Sequence, residues 1–303
     1  MGSASRAGNG APGDRRLRLA IATCGELSEL DGEGRLLLRR LRAAGVEAEP
    51  EVWDDQAVGW DDYDRVLLRS TWDYPSTPES FAAWVAARGR QLINPPEIVR
   101  WNISKRYLTL LESWGLPIVP TAFIAPGEPV ELPDEAEFVL KPAVSAGSRG
   151  TARYGPGDLD RAHRHAAELL AANREVMVQP YLPSVEAAAE TAVIMLGGRF
   201  SHAMRKGPLL ELGQEPEKGL FREEEMSRRE AGADEIELAE RVIDRLVAEV
   251  RAPTYARIDL LRSAAGAPLI LELELIEPSL FFPACPAALD RFVAALAERR
   301  RTA

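Results

Sequence analysis

The order of strand-like and helix-like runs changes character at Asn94-Pro95-Pro96, and that change constrains the fold more than any other feature of the chain. Before it, the apolar run 17–23 reads as a buried strand. Residues 33–44 carry Leu36, Leu37, Leu41 and Ala44 at helical spacing, and Gly45 stands where a helix C-cap belongs. Residues 46–52 and 65–70 read as two more strands, and a helix follows near 78–87. This β-α-β-β order predicts a small α/β lobe around a parallel sheet. The prolines break that pattern. After them the chain predicts a helix over 104–114 closed by Gly115, strands near 117–123 and 138–141, a proline-rich connector over 126–133, a helix over 159–173 and a strand over 175–181. Residues 191–196 and 199–205 predict a hairpin turning on Gly197-Gly198. An amphipathic helix over 234–250, an antiparallel pair from 255–261 and 269–275 around Gly266, and a last helix over 286–299 complete the pattern. The second half is therefore α+β, unlike the first.

A chain of 303 residues is too long for one compact core and suits two or three lobes. The expected division is a disordered tail over 1–14, an N-terminal α/β domain over 15–100, a central subdomain over 101–182 and a C-terminal subdomain over 183–303. The formal net charge of −10 argues against nonspecific nucleic-acid or anionic-membrane binding, both of which need a basic surface. No apolar run approaches the ~20 residues of a membrane span. The two cysteines, Cys24 and Cys285, imply no disulfide framework, and a cytoplasmic setting is expected. Against so acidic a background, a site for an anionic substrate must be built from individual Lys and Arg residues.

The run Ile270-Leu271-Glu272-Leu273-Glu274-Leu275 alternates, so both glutamates project from one strand face, their Cα atoms roughly 6–7 Å apart. Such carboxylates can converge on one metal or flank two, and Mg²⁺ takes hard oxygen ligands of this kind. Alternating Glu alone more often marks a strand face turned to water. Asp259 and Arg257 on the expected hairpin partner tip that balance, because like charges would crowd one face unless a cation bridged them. Lys141 ends an apolar strand just before Pro142, at the edge of a site. The loop Ser145-Ala146-Gly147-Ser148-Arg149-Gly150-Thr151 is small enough for backbone N–H groups to cradle a phosphate, as in anion-binding nests, and matches neither the P-loop nor the dinucleotide pattern. Lys105 is a second phosphate candidate; taken alone it is an ordinary surface lysine. Gln179-Pro180-Tyr181-Leu182 can offer backbone groups to an adenine edge, and Glu190 can accept ribose hydroxyls. Arg205 or Lys206 can clamp a carboxylate or γ-phosphate. His202 can shuttle a proton or simply pack. The polar segment 207–225 is long enough for a mobile lid.

Lys105, Lys141-Pro142 with its loop, Gln179–Leu182, Glu190, Lys206, Arg257-x-Asp259 and Glu272-x-Glu274, in that order, resemble the ATP-grasp superfamily. Val52-Trp53-Asp54, the run Arg69-Ser70-Thr71-Trp72-Asp73-Tyr74, Asn94-Pro95, Arg199–Ala203 and Glu272–Leu280 resemble its glutathione-synthetase-like members, in the subgroup that includes the O-ureido-serine cyclo-ligase of cycloserine biosynthesis. Two departures stand out. Glu274 occupies a position where D-alanine–D-alanine ligases usually have Asn, and Ala189 one where the subgroup usually has Gly.

The resemblance implies an ATP-grasp fold, with a small parallel α/β lobe followed by two α+β lobes clasping ATP. It implies that Lys105, Lys141 and the loop with Ser145, Gly147 and Ser148 hold the phosphates. Gln179, Tyr181 and Leu182 would hold adenine, Glu190 ribose, and Asp259, Glu272 and Glu274 two Mg²⁺. Arg257, Arg205 and Lys141 are the candidate catalytic residues, and Arg69, Arg205 and Ser279 the candidates for an amino-acid-like substrate. The implied reaction is ATP-dependent carboxylate–amine ligation through an acyl phosphate, giving an amide, peptide or lactam-type ring. A nucleotide-binding regulatory module and a phosphotransferase are the rival readings. A small molecule is the expected partner and a homodimer the expected assembly.

Overall fold

The computed structural model describes residues 16–216, 218–220 and 225–298. The expected tail over 1–14, residue 299 of the last helix and part of the segment 207–225 lie outside them. The first lobe comprises β1 (Arg18–Thr23), α1 (Gly32–Ala43), β2 (Glu47–Val52), β3 (Arg65–Leu68) and α2 (Pro78–Arg88). β1 is central and pairs in parallel with both neighbours. Its continuous apolar run is what a strand buried on both faces requires. α1 starts at Asp31, whose carboxylate accepts from the Gly34 and Glu33 N–H groups at 2.9 and 3.2 Å, a side-chain N-cap.

The rest of the chain forms α3 (Pro96–Asn102), α4 (Tyr107–Ser113), β4 (Ala122–Ile124), β5 (Phe138–Pro142), β6 (Ala152–Tyr154), α5 (Leu159–Ala171), β7 (Val176–Pro180), α6 (Ser184–Ala188), β8 (Glu190–Leu196), β9 (Arg199–Lys206), β10 (Met226–Arg229), α7 (Ala233–Glu249), β11 (Tyr255–Arg262), β12 (Pro268–Glu274) and α8 (Pro286–Glu298). Two antiparallel sheets result, in the orders β4-β7-β5-β6 and β10-β9-β8-β11-β12. α5 packs Ala162, Ala166 and Leu169 on the smaller sheet, and α7 packs Leu238, Val242 and Leu246 on the larger. α8 returns to the first lobe, where Leu289, Phe292 and Leu296 share a core with Leu19, Leu37 and Leu41. No helix among the described residues is long and apolar enough to cross a membrane.

Three local expectations change. Pro95-Pro96 starts a helix rather than breaking the chain, because Pro at the first helical position gives up an N–H that has no helical partner there. The helix expected over 104–114 starts late: residues 104–106 form a turn, and α4 begins at Tyr107. The strand expected over 117–123 shrinks to β4. Residues 117–119 run along the outer edge of β12 instead, with Val119 N–H donating to the Ile270 carbonyl and Ile270 N–H to the Pro117 carbonyl, both at 2.9 Å.

The open edge of β12 is closed further by side chains. Asn102 donates to the Leu273 carbonyl and accepts from Leu275 N–H, both at 2.8 Å, and the Tyr107 hydroxyl accepts from Leu273 N–H at 2.9 Å. Asn94 donates to the Tyr255 and Leu275 carbonyls at 2.9 and 2.7 Å and accepts from the Thr254 N–H at 2.7 Å. An edge strand would otherwise expose unpaired backbone groups. Asn94→Ala strands several buried backbone groups, and urea denaturation is expected to show a loss of about 2–4 kcal/mol.

Candidate active site

A cavity of about 620 Å³ is lined by the two antiparallel sheets and by connections of the first lobe. Its charged wall is the β11/β12 pair. Arg257 lies opposite Glu274 and Asp259 opposite Glu272 in register, so the pleat turns all four toward one face. Glu272 accepts from two lysines of different elements: Lys105 Nζ at 2.9 Å and Lys141 Nζ at 3.1 Å. Lys105 is fixed by its own N–H on the Ala143 carbonyl and its Nζ on the Ser145 carbonyl, each at 2.8 Å. Arg257 donates to both Asp259 oxygens, from Nε at 2.9 Å and Nη2 at 2.8 Å, and also to Glu274. Lys206 donates to Asp259 at 3.2 Å and to Glu190.

This arrangement sets the charges. Burial raises the Glu272 carboxyl, but Lys105 and Lys141 outweigh it and hold it well below the usual carboxylate range. Burial of Asp259 is likewise outweighed by Arg257 and Lys206. Glu274 differs. Burial pushes it up to about 7; Arg257 opposes the rise, while the charges of Asp259 and Glu272 add to it. Among the described residues no three His, Cys, Asp or Glu side chains stand assembled as a ready ion cage. Asp259, Glu272 and Glu274 nonetheless fit Mg²⁺. They are hard oxygen donors on one cavity wall, and a divalent cation would relieve the repulsion that raises Glu274.

The structure brings most of the sequence-selected residues to this cavity. Lys105, Lys141, Ser145, Gly147, Ser148, Gln179, Tyr181, Leu182, Glu190, Lys206, Arg257, Asp259, Glu272, Glu274 and Ser279 all line it. The 145–151 loop turns through left-handed backbone at Gly147, Ser148 and Gly150. Gln179 spends its side-chain amide on Thr121 Oγ1 at 2.9 Å, so its side chain is a support for the neighbouring backbone.

Two candidates are corrected. Arg205 precedes Lys206 on β9 and so falls on the opposite face, away from the cavity. Arg69 is buried beneath the site, paired with Glu33, whose carboxylate accepts from Leu280 and Phe282 N–H at 2.9 and 3.0 Å. It braces the segment after β12. His202 braces the same segment: its Nε2 meets the Leu280 carbonyl at 2.8 Å, and burial pushes its imidazole down. Sequence reasoning assigned no role to Trp72, Tyr74, Asn102, Tyr107 or Glu277, which also line the cavity. The Arg69–Tyr74 and Glu272–Leu280 runs held the signal for three of them.

Solved structures of low identity share the fold. A D-alanine–D-alanine ligase from Bacillus anthracis complexed with ATP aligns with TM-score 0.63 at 15% identity over 94% of this chain and 98% of that one. A RimK domain ATP-grasp protein from Sphaerobacter thermophilus aligns with TM-score 0.63 at 18% identity over 93% and 98%. The fold is thus that of the ATP-grasp ligases. Within them, the chain is 33% identical over 301 residues to the cycloserine biosynthesis protein DcsG of Streptomyces lavendulae, covering 93% of this chain and 98% of DcsG. The crystal structure of D-cycloserine synthetase DcsG aligns with TM-score 0.81 at 32% identity over 93% and 99%, and residues 19–94 match the D-cycloserine synthetase DcsG N-terminal domain family. The chain belongs to the ATP-grasp superfamily, in the cycloserine-biosynthesis subgroup, and is an ATP-dependent ligase forming carbon–nitrogen bonds.

The raised Glu274 carboxyl gives a test of whether it serves a metal: if it ligates Mg²⁺, the ion must expel a proton below about pH 7. Calorimetric titration of the nucleotide-free protein is expected to show Mg²⁺ affinity falling toward about tenfold per pH unit below 7, with proton release on binding. Glu274→Gln should flatten that dependence.

Proposed function

We propose that the enzyme activates the carboxylate of an amino-acid-like substrate, of the O-substituted serine type, and closes it onto a nitrogen of the same molecule to give a cycloserine-type ring, ADP and phosphate. The observation that carries this reading is the pairing of Lys105 and Lys141 with Glu272 beside Arg257 and Asp259. Cations from three parts of the chain meet carboxylates where two anionic substrates have to approach each other. The relationship to a D-cycloserine synthetase supports the intramolecular product.

In this reading Lys105 and Lys141 leave Glu272 for the β- and γ-phosphates, assisted by backbone N–H groups of the 145–151 loop. Asp259, Glu272 and Glu274 would hold the two Mg²⁺, which would supply charge neutralisation at the phosphates. The backbone of Gln179–Leu182 receives adenine against Val139 and Leu182, and Glu190 receives the ribose. Arg257 faces the substrate carboxylate. A carboxylate oxygen attacks the γ-phosphorus as its bond to ADP breaks. The nitrogen then attacks the acyl carbon, phosphate leaves, and the nitrogen gives up a proton. Acyl phosphates hydrolyse, so the segment 207–225 and the 145–151 loop are assigned to water exclusion. We assign 15–100 as the N-terminal domain, 101–182 as the central subdomain and 183–303 as the C-terminal subdomain.

The test is ADP release with O-ureido-serine and Mg²⁺, with the product identified by mass spectrometry. Lys141→Met is expected to lower kcat by about 100-fold or more, the size of loss seen when one preorganised transition-state contact is removed. Full turnover in that variant would sink the assignment, and a phosphorylated, uncyclised product would favour a phosphotransferase.

A further inference from the structure

Glu277 differs from the carboxylates that share its cavity with the lysines and Arg257; Asp31, the remaining cavity carboxylate, is spent on capping α1. Glu277 is only 9% exposed, yet among the described residues no ion pair reaches it, whereas Glu190, Asp259, Glu272 and Glu274 all meet Lys or Arg. It lies beyond the end of β12, past the metal-facing pair. Trp72, Tyr74 and Phe281 line the same cavity, and the charge of Glu277 acts on the buried Tyr74 hydroxyl. The Trp72 indole donates to the Glu277 carbonyl at 3.4 Å, and the Arg257 guanidinium lies over the Phe281 ring, 5.6 Å from its centroid. Burial, and next the charge of Glu274, push the Glu277 carboxyl up to about 8 against the opposing pull of Lys105 and Arg257, neither of which forms an ion pair with it as Lys105 and Lys141 do with Glu272.

We propose that Glu277, walled by Trp72, Tyr74 and Phe281, is the subsite for the α-ammonium group of the substrate. The proposal rests on the ligase reading and names the part of the substrate that reading leaves open. Aromatic faces attract an organic cation and leave room for its carbon frame. Mg²⁺ retains several waters and prefers clustered oxygens, which the β11/β12 face supplies and this wall does not. The position also suits an α-amino acid. Its ammonium is two bonds from its carboxylate, and Glu277 lies on the segment whose Phe281 carries Arg257, the group that faces that carboxylate. A buried carboxylate met by an ammonium is a charge-assisted hydrogen bond of the strong kind, and its loss is felt in binding.

The experiment compares O-ureido-serine with 3-(ureidooxy)propanoate, the same molecule with hydrogen in place of the α-ammonium. The wild-type enzyme is expected to prefer the amino acid by at least about tenfold in kcat/KM for ADP release. Glu277→Gln should collapse that preference by raising KM for O-ureido-serine about 10- to 100-fold, with KM for ATP and the thermal midpoint held. Glu277→Asp should restore part of the preference. Undiminished discrimination in Glu277→Gln would overturn the proposal, as would a wild-type enzyme that does not discriminate. Calorimetric binding of both compounds without turnover separates the two readings. Preferential binding of O-ureido-serine, lost in Glu277→Gln, supports the subsite even if no ADP is released, a result that would strike the ligation reading alone. Equal binding of both compounds overturns the subsite and leaves ligation standing.

Discussion

Glu272 holds two lysines that the chain delivers from different places, and the site depends on that contact. Lys141 ends β5 in the smaller antiparallel sheet, Lys105 stands just before α4, and Glu272 is on β12 in the larger sheet. One carboxylate thus ties the two sheets together across the cavity. Buried ion pairs contribute little net stability, because desolvation offsets their attraction, and losing one partner is costly. Here the pairing does something other than stabilise. It keeps two cations desolvated and aimed at one point, ready to exchange a protein carboxylate for a phosphate. Arg257 and Lys206 stand toward Asp259 in the same way.

Such a face needs a strand that cannot shift register, since a slip of one residue would turn Glu272 and Glu274 away. β12 is at the edge of its sheet, where register is least constrained. Asn102, Tyr107 and the segment 117–119 supply the missing hydrogen bonds on its outer side, and Asn94 fixes the backbone where β11 begins and β12 ends. The segment after β12 is held in turn by Glu33, itself anchored by Arg69, and by His202, which meet its backbone from the first lobe and from β9. The N-terminal lobe therefore contributes to the site both through Trp72 and Tyr74 at the cavity wall and by positioning Ser279 and Phe281.

Much of this was legible in the sequence for a definite reason. Strand alternation reports which side chains share a face, so the grouping of Arg257 and Asp259 with Glu272 and Glu274 followed once the hairpin around Gly266 was read. The order of lysines and small residues carried the family resemblance, and the relationship to a cycloserine synthetase agrees with it. What failed did so through tertiary context. Alternation also determined that Arg205 and Lys206 take opposite faces of β9, but which of them faces the cavity depends on how that sheet packs. Arg69 looked like a carboxylate ligand because its partner, Glu33, lies on a helix whose burial no local pattern reveals. Asn94 looked like punctuation before two prolines and Asn102 carried no signal, since a side chain that replaces a missing strand cannot be recognised until the strand is in place.

The sequence by itself determined the two architectures on either side of residue 94, the alternating carboxylates and the identity of the cations available to them, because these depend on spacing within a few residues. The tertiary structure decided that Lys105 and Lys141 meet Glu272, because those partners come from segments more than a hundred residues apart. It also decided that, among the described residues, Glu277 forms no ion pair while Glu272 and Glu274 do. That fact arises from the packing of an aromatic wall of the first lobe against the end of β12, and no pattern along the chain encodes it.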